Sequence, residues 1–238
     1  YVVEIQNNEN IITNDTIDRL NIIISIIEQQ LQKICFDINL HEEWMSHLYS
    51  IQNITHYKDN ETSNHTIRVG KFASIIAEKL SLDSSFVKNI EITAPLHDIG
   101  KMGIPDSILK KPASLTSEEF TIMKKHPKIG FDILDNHNNN ELSDMAKVIS
   151  LEHHEKFDGS GYPYGLKGSE ITLEARITSI SDVYDALTSK RPYKEAWSDK
   201  EAIDFINSKK ASDFDPNIVN IFNQNIEHII KVKNSFLD

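Results

Sequence analysis

Residues 61–80 read ETSNHTIRVGKFASIIAEKL. At 3.6 residues per helical turn, His65, Val69, Phe72, Ile76 and Leu80 fall on one face, and Glu61 lies one turn before His65 on that same face. An apolar stripe therefore carries a carboxylate and an imidazole toward an interior. The pattern repeats downstream. Val87, Ile90, Ala94 and His97 share a face, with Asp98 immediately beside it. Thr116 and Glu119 have capping-box spacing, and the helix they open carries Met123 and His126 inward before Pro127 breaks or restarts it. Leu142, Met145, Ile149 and His153 follow the same rule. No strong alternating strand pattern is present, so the chain reads as all-α, with four helices aiming imidazole at one core.

Composition bounds the answer from outside. At 238 residues the chain suits one large domain or a domain with an appendage, by a prior of ~150 residues per domain. With 39% hydrophobic and 26% charged residues, and only 8 Gly and 7 Pro, it is no disordered, collagen-like or low-complexity chain. Its 25 Lys and Arg stand against 36 Asp and Glu, a formal charge of -11. That balance argues against nucleic acid or an anionic membrane as partner, and an anionic substrate would need locally concentrated positive charge. The single Cys35 rules out an internal disulfide and a cysteine-built zinc site, and agrees with a reducing, cytoplasmic location. Ile22 to Ile27, interrupted by Ser25, is far shorter than the ~20 residues of a membrane span, and no signal-peptide pattern opens the chain. The first residue is Tyr1 rather than Met, as expected of a fragment of a longer protein.

Three segments are expected: 1–12 as the remnant of an upstream domain, 13–54 as a helical linker or dimerisation segment, and 55–238 as the main domain. In the linker, Ile17, Leu20, Ile24, Ile27, Leu31, Ile34 and Ile38 alternate 3 and 4 apart, a heptad seam of the coiled-coil kind. Ile22, Ile23 and Ile26 widen the stripe, which suits a helix with several partners, some from a second copy of the chain. A homodimer through this helix is the expectation, against the alternative of a core helix within one monomer.

A lone histidine on an apolar helical face is usually a hydrogen-bonded core residue. Here the set is Glu61, His65, His97, Asp98, His126, His153, His154 and Asp182, and burying it unpaired would cost several kcal/mol per charge. Metal coordination is the usual way to satisfy such a cluster. Imidazole and carboxylate without thiolate suit iron, manganese or similar divalent ions, and more than one of them. Neighbouring His153 and His154 diverge by ~100° on a helix and can serve adjacent ions, while a carboxylate such as Asp98 can bridge two.

His97-Asp98-Ile99-Gly100-Lys101, His153-His154-Glu155 and Asp158-Gly159-Ser160-Gly161-Tyr162-Pro163 stand in the order of a known family. With Ile104-Pro105-Asp106, Ser181-Asp182-Val183-Tyr184-Asp185-Ala186-Leu187, Arg191-Pro192-Tyr193-Lys194 and Phe214-Asp215-Pro216, the chain resembles the HD-GYP cyclic di-GMP phosphodiesterases over residues of about 55 to 238. The departures are Ala113, where the family usually has glycine, and Asp213, where histidine is common.

The resemblance implies an HD-type helical bundle with two or three divalent ions, three being favoured, that hydrolyses cyclic di-GMP to pGpG and in some members to GMP. It implies His65, His97, Asp98, His126, His153, His154 and Asp182 as metal ligands, with Asp98 bridging, and Glu61 as ligand of a third ion. The nucleophile implied is a metal-activated hydroxide, with Lys101 offsetting charge on the phosphate. Four of the 8 glycines, at 159, 161, 165 and 168, crowd around Tyr162, and by resemblance this loop is the lip of the site, with Tyr162 against a guanine or a phosphate. Arg191 and Lys194 match substrate-contacting positions. Two alternatives stand beside this reading: an interaction module that binds a cyclic dinucleotide with little turnover, and a phosphodiesterase for another cyclic dinucleotide such as cyclic GMP-AMP or a more general HD phosphohydrolase.

Overall fold

The computed structural model describes residues 19, 21–33, 58, 63–135, 141–190 and 195–236. Residues 1–12, most of the heptad seam, Glu61, Arg191 and Lys194 lie outside the described residues. The chain divides into two compact units, Tyr1–His47 and Leu48–Asp238.

In the first unit, residues 21–33 form a helix, α1. Ile22, Ile23, Ile24, Ile26, Ile27 and Leu31 are between 46 and 60% exposed on it. Seam positions Ile24, Ile27 and Leu31 thus face solvent together with the residues that widen the stripe.

The second unit begins with α2 (Ser63–Lys79) and α3 (Ser84–Thr93). Two 3-10 turns, Ala94–Leu96 and Ile99–Gly103, lead to α4 (Asp106–Leu109), α5 (Ser117–Met123), α6 (His126–Leu134) and α7 (Glu141–Glu152). A loop with one 3-10 turn, Gly168–Glu170, precedes α8 (Leu173–Thr188), followed by α9 (Asp199–Ser208), α10 (Pro216–Gln224) and α11 (Ile226–Ser235). Among the described residues there is no strand, only an isolated bridge between Lys210 and Phe214. The expected all-α class is the observed one.

Helix α2 is the central element, packed against α3, α8, α11 and the turn at Ala94–Leu96, while α7 closes over α6 and α8. Its predicted face supplies Val69, Phe72 and Ile76 to the core, all fully buried. Phe72 meets Tyr184 of α8 edge-on at 5.6 Å, and Tyr184 meets Phe222 of α10 at 5.2 Å. Each such pair adds about 0.5–1.5 kcal/mol beyond the area it buries. A Cβ on Gly70 would fall 2.4 Å from the Glu91 carbonyl oxygen, so glycine is what lets α2 and α3 approach so closely.

Local signals explain where helices begin and end. Thr116 Oγ1 accepts from Glu119 N–H at 3.3 Å and Glu119 Oε2 from Thr116 N–H at 2.7 Å, the reciprocal cap expected from their spacing. The uniform helix expected to run from Val87 to His97 instead ends at Thr93. Pro95 has no N–H for the carbonyl four residues back, so the chain tightens into the 3-10 turn that delivers His97.

Candidate metal centre

Five segments converge on one place. His65 comes from α2, His97 and Asp98 from the link between the two 3-10 turns, His126 from the first position of α6, His153 and His154 from just past α7, and Asp182 from the middle of α8. They form two groups, Asp98 with His126, His153 and His154, and His65 with His97 and Asp182. Within each group the ligand atoms lie within 4.8 Å of one another.

Asp98 joins the groups. Its Oδ1 is 3.1 Å from His126 Nε2 and 3.6 Å from His153 Nε2, while its Oδ2 is 3.3 Å from His97 Nε2. Asp182 Oδ1 stands 3.6 Å from His65 Nε2 and 3.7 Å from His97 Nε2.

The far side of each ring fixes which nitrogen faces inward. Carbonyl oxygens accept from Nδ1 of His97 (Ala94, 2.9 Å), His126 (Met123, 2.9 Å) and His153 (Ser150, 3.0 Å). A carbonyl can only accept, so Nδ1 carries the proton and Nε2 presents a lone pair to the centre. His65 does the same through the Asp185 carboxylate, 2.8 Å from its Nδ1.

This geometry decides whether the residues fit a metal. Asp98 Oδ1 is buried and accepts no hydrogen bond, although His126 Nε2 is only 3.1 Å away. A divalent cation held beside both atoms would satisfy them together. The donor set is entirely nitrogen and oxygen, which suits borderline-hard divalent ions. The residues fit divalent metal binding, as both groups have the composition and spacing to hold an ion.

Electrostatics agree. Burial alone would raise the Asp98 pKa, but Lys101, His97 and the His126 and His153 rings beside it hold it well below the usual carboxylate range. Burial pushes His153 down and, with the neighbouring His153 ring, pushes His154 down further. An anionic Asp98 beside His153 and His154 rings that burial keeps neutral is the protonation state that coordination needs. Lys101 Nζ sits 2.8 Å from Asp98 Oδ2, in a pair set by the 3-10 turn Ile99–Gly103.

Several positioning residues were not singled out from sequence. Asp185, fully buried, accepts His65 Nδ1–H and both Nε–H and Nη2–H of Arg68, at 2.6 and 2.9 Å. Arg68 Nη1 donates to the Phe236 carbonyl at 2.6 Å, so the end of α11 is tied to the back of the centre. Arg68 follows His65 by three residues, as Asp185 follows Asp182, so each helix sets its charge one turn behind a ligand. Close backbone contact does the rest. A Cβ on Gly100 would lie 1.9 Å from the His126 carbonyl oxygen, and one on Gly130 2.0 Å from Ser150 Oγ, which itself donates to the His97 carbonyl at 3.1 Å.

The glycine-rich loop is organised by Glu155, also missed. Its buried carboxylate accepts from the backbone N–H groups of Tyr164 (2.7 Å), Gly165 (3.1 Å) and Leu166 (3.0 Å). Glu152, one residue before His153, accepts from Thr172 N–H at the start of α8. The loop lays Tyr162 flat on His154, with centroids 4.7 Å apart and an interplanar angle of 29°. One face of Tyr162 is therefore spent on a ring of the centre.

Comparison with known proteins agrees with this arrangement. The chain is 47% identical over 163 residues to the "cyclic di-GMP phosphodiesterase response regulator RpfG" of Xanthomonas campestris, covering 68% of this chain and 43% of that one. It is 38% identical over 201 residues to the "3'3'-cGAMP-specific phosphodiesterase 2" of Vibrio cholerae, covering 84% of this chain and 38% of that one. The chain thus spans less than half the length of either relative. In fold it is similar to the crystal structure of a cyclic GMP-AMP specific phosphodiesterase of V. cholerae, with TM-score 0.59 and 19% identity over 81% of this chain and 50% of that chain. Residues 50–218 match the model of the HD domain, well over half of the chain, and the seven converging histidines and aspartates lie inside that match: this chain belongs to the HD domain family.

Proposed function

We propose that this chain is a metal-dependent phosphodiesterase that hydrolyses cyclic di-GMP to linear pGpG, and on to GMP where the linear product rebinds. The observation that carries the reading is the Asp98 carboxylate shared between two adjoining histidine groups. The likeness to the Xanthomonas relative supports the choice of substrate.

Divalent ions, iron or manganese, held by His65, His97, Asp98, His126, His153, His154 and Asp182 would supply Lewis-acid polarisation of the phosphoryl oxygens and ease ionisation of water. The chain's own part is positional. Asp98 keeps the two groups in register, and the Nδ1 bonds keep Nε2 of His65, His97, His126 and His153 turned inward. Lys101, beside Asp98, offsets negative charge developing on the phosphate. Tyr162, braced on His154, is the loop residue that meets the substrate beside the centre. Glu61 as ligand of a third ion, and Arg191 and Lys194 as substrate contacts, complete the proposal from sequence.

Within this reading residues 55–238 are the catalytic domain and 13–54 a helical linker through which two copies pair along the α1 stripe. No described helix is long and apolar enough to cross a membrane, and the proposed setting is the cytoplasm. A second reading, hydrolysis of 3'3'-cGAMP, is favoured by the likeness to the Vibrio relative.

The test is turnover of both dinucleotides by anaerobically purified chain, with products resolved by chromatography and metal measured on the same sample. Metal-dependent pGpG that disappears on chelation is expected. Faster turnover of 3'3'-cGAMP would favour the second reading, and full metal loading with tight nucleotide binding but no product would sink both in favour of an interaction module.

A further inference from the structure

Beside the metal centre, α5 brings a phenylalanine to the surface. Phe120 is 45% exposed, yet it is not an isolated apolar side chain, because its ring meets that of Tyr162 edge-on with centroids 6.4 Å apart. Tyr162 in turn lies on His154, so a continuous row of rings runs from a candidate ligand to solvent.

Lys124, the residue that closes α5, spans the last two members of the row. Its Nζ is 4.9 Å from the Phe120 centroid and 5.2 Å from the Tyr162 centroid. Nearby lysines are engaged otherwise, Lys111 with Glu119 at 2.6 Å and Lys128 with Asp132 at 2.7 Å. Among the described residues no carboxylate pairs with Lys124, in a chain with 36 acidic residues against 25 basic. An exposed lysine held over two aromatic faces, one contact from a hydrolytic centre, has the chemistry to receive a flat, acceptor-rich, anionic group.

We propose that Phe120 and Lys124 form a nucleobase subsite on the rim of the metal centre. A purine of the substrate stacks on the exposed face of Phe120, and the Lys124 ammonium donates to an acceptor oxygen of the same nucleotide. The proposal rests on the cyclic-dinucleotide reading and deepens it, since it says which part of the chain grips the portion of substrate that is not being cleaved. Stacking on an aromatic ring tolerates any base, and an ammonium donor matches the acceptor-rich edge of guanine better than the amino group of adenine.

The test compares the unaltered chain with Phe120→Leu, Phe120→Trp and Lys124→Met, all metal-loaded, in steady-state hydrolysis of cyclic di-GMP. Leucine keeps apolar bulk without a π face, whereas tryptophan keeps the face. The expected result is a KM raised about tenfold in Phe120→Leu and in Lys124→Met with kcat changed far less, and a KM in Phe120→Trp close to that of the unaltered chain. An unchanged KM in Phe120→Leu overturns the subsite. Failure of the underlying reading shows separately, as absence of pGpG from the unaltered chain. In that event equilibrium binding of cyclic di-GMP to the same four proteins decides: a Kd about tenfold weaker in Phe120→Leu supports the subsite, and an unchanged Kd, or no binding at all, overturns it.

Discussion

Oδ1 of Asp98 lies 3.1 Å from Nε2 of His126, two electron-pair acceptors held together inside the protein. The proton that would normally reconcile them is on the other side of the ring, on the Nδ1 that donates to the Met123 carbonyl. A divalent cation bound to both would satisfy them together. Asp98→Asn, nearly the same in shape, is therefore expected to lose more than the roughly 10–100-fold in metal affinity typical of losing an outer partner, and to lose pGpG formation with it. Elemental analysis after dialysis against buffered metal checks the first effect and chromatography the second.

Asp185 stands one step further out. Replacing it with asparagine weakens the hold on His65 and leaves the buried Arg68 without its carboxylate. Metal affinity is expected to fall roughly 10–100-fold, read by manganese titration. Stability of the metal-free chain is expected to fall by about 3–5 kcal/mol, read by urea unfolding.

Glu155 holds the glycine-rich loop through three backbone N–H groups. Hydrogen bonds to a charged group contribute about 1.5–3 kcal/mol each, so Glu155→Ala is expected to destabilise the loop by several kcal/mol. The expected signature is faster proteolysis within residues 158–168, together with a higher KM as Tyr162 loses its brace. Equal proteolysis rates in variant and unaltered chain would contradict it.

Acidification should weaken the metal-free fold in a defined window. Burial lowers the pKa of His153 and His154 in the folded state below the ordinary 6.5. Above that value the rings are neutral in both states and pH has no leverage. As pH falls below it, the unfolded chain binds protons that the folded chain refuses, so unfolding becomes easier until the folded pKa values are reached. Urea midpoints should fall between pH 7 and pH 5, and His154→Gln should flatten the slope.

How much of this was legible beforehand follows from how each residue acts. His65, His97, His126 and His153 could be read because helical periodicity puts an imidazole where an apolar side chain belongs, and the fold keeps all four buried. Asp185 and Arg68 escaped because an ion pair between α2 and α8 has no signature in either helix alone; each looks like an ordinary charge until the two meet across 117 residues of chain. Glu155 escaped for another reason. Its partners are backbone N–H groups, which every residue has, so no pattern of side chains announces them. The straight helix expected through Ala94 failed at Pro95, where the missing N–H outweighs the apolar spacing.

The stripe on α1 offers a prediction independent of the centre. Ile27→Glu with Leu31→Glu places charge on the proposed pairing face, where both positions are more than half exposed in the single chain. Light scattering should show the mass falling from two copies toward one, with the thermal midpoint of the second unit little altered.

The ligands of the centre are gathered from α2 at one end of its unit to α8 near the other, and nothing in any one segment could hold an ion by itself. Whatever fills the site therefore binds the finished fold and not the open chain, and adds to its stability in proportion to the logarithm of its free concentration. Cellular metal supply would then govern abundance as well as activity: a cell short of the ion would hold these chains closer to unfolding and surrender more of them to its proteases.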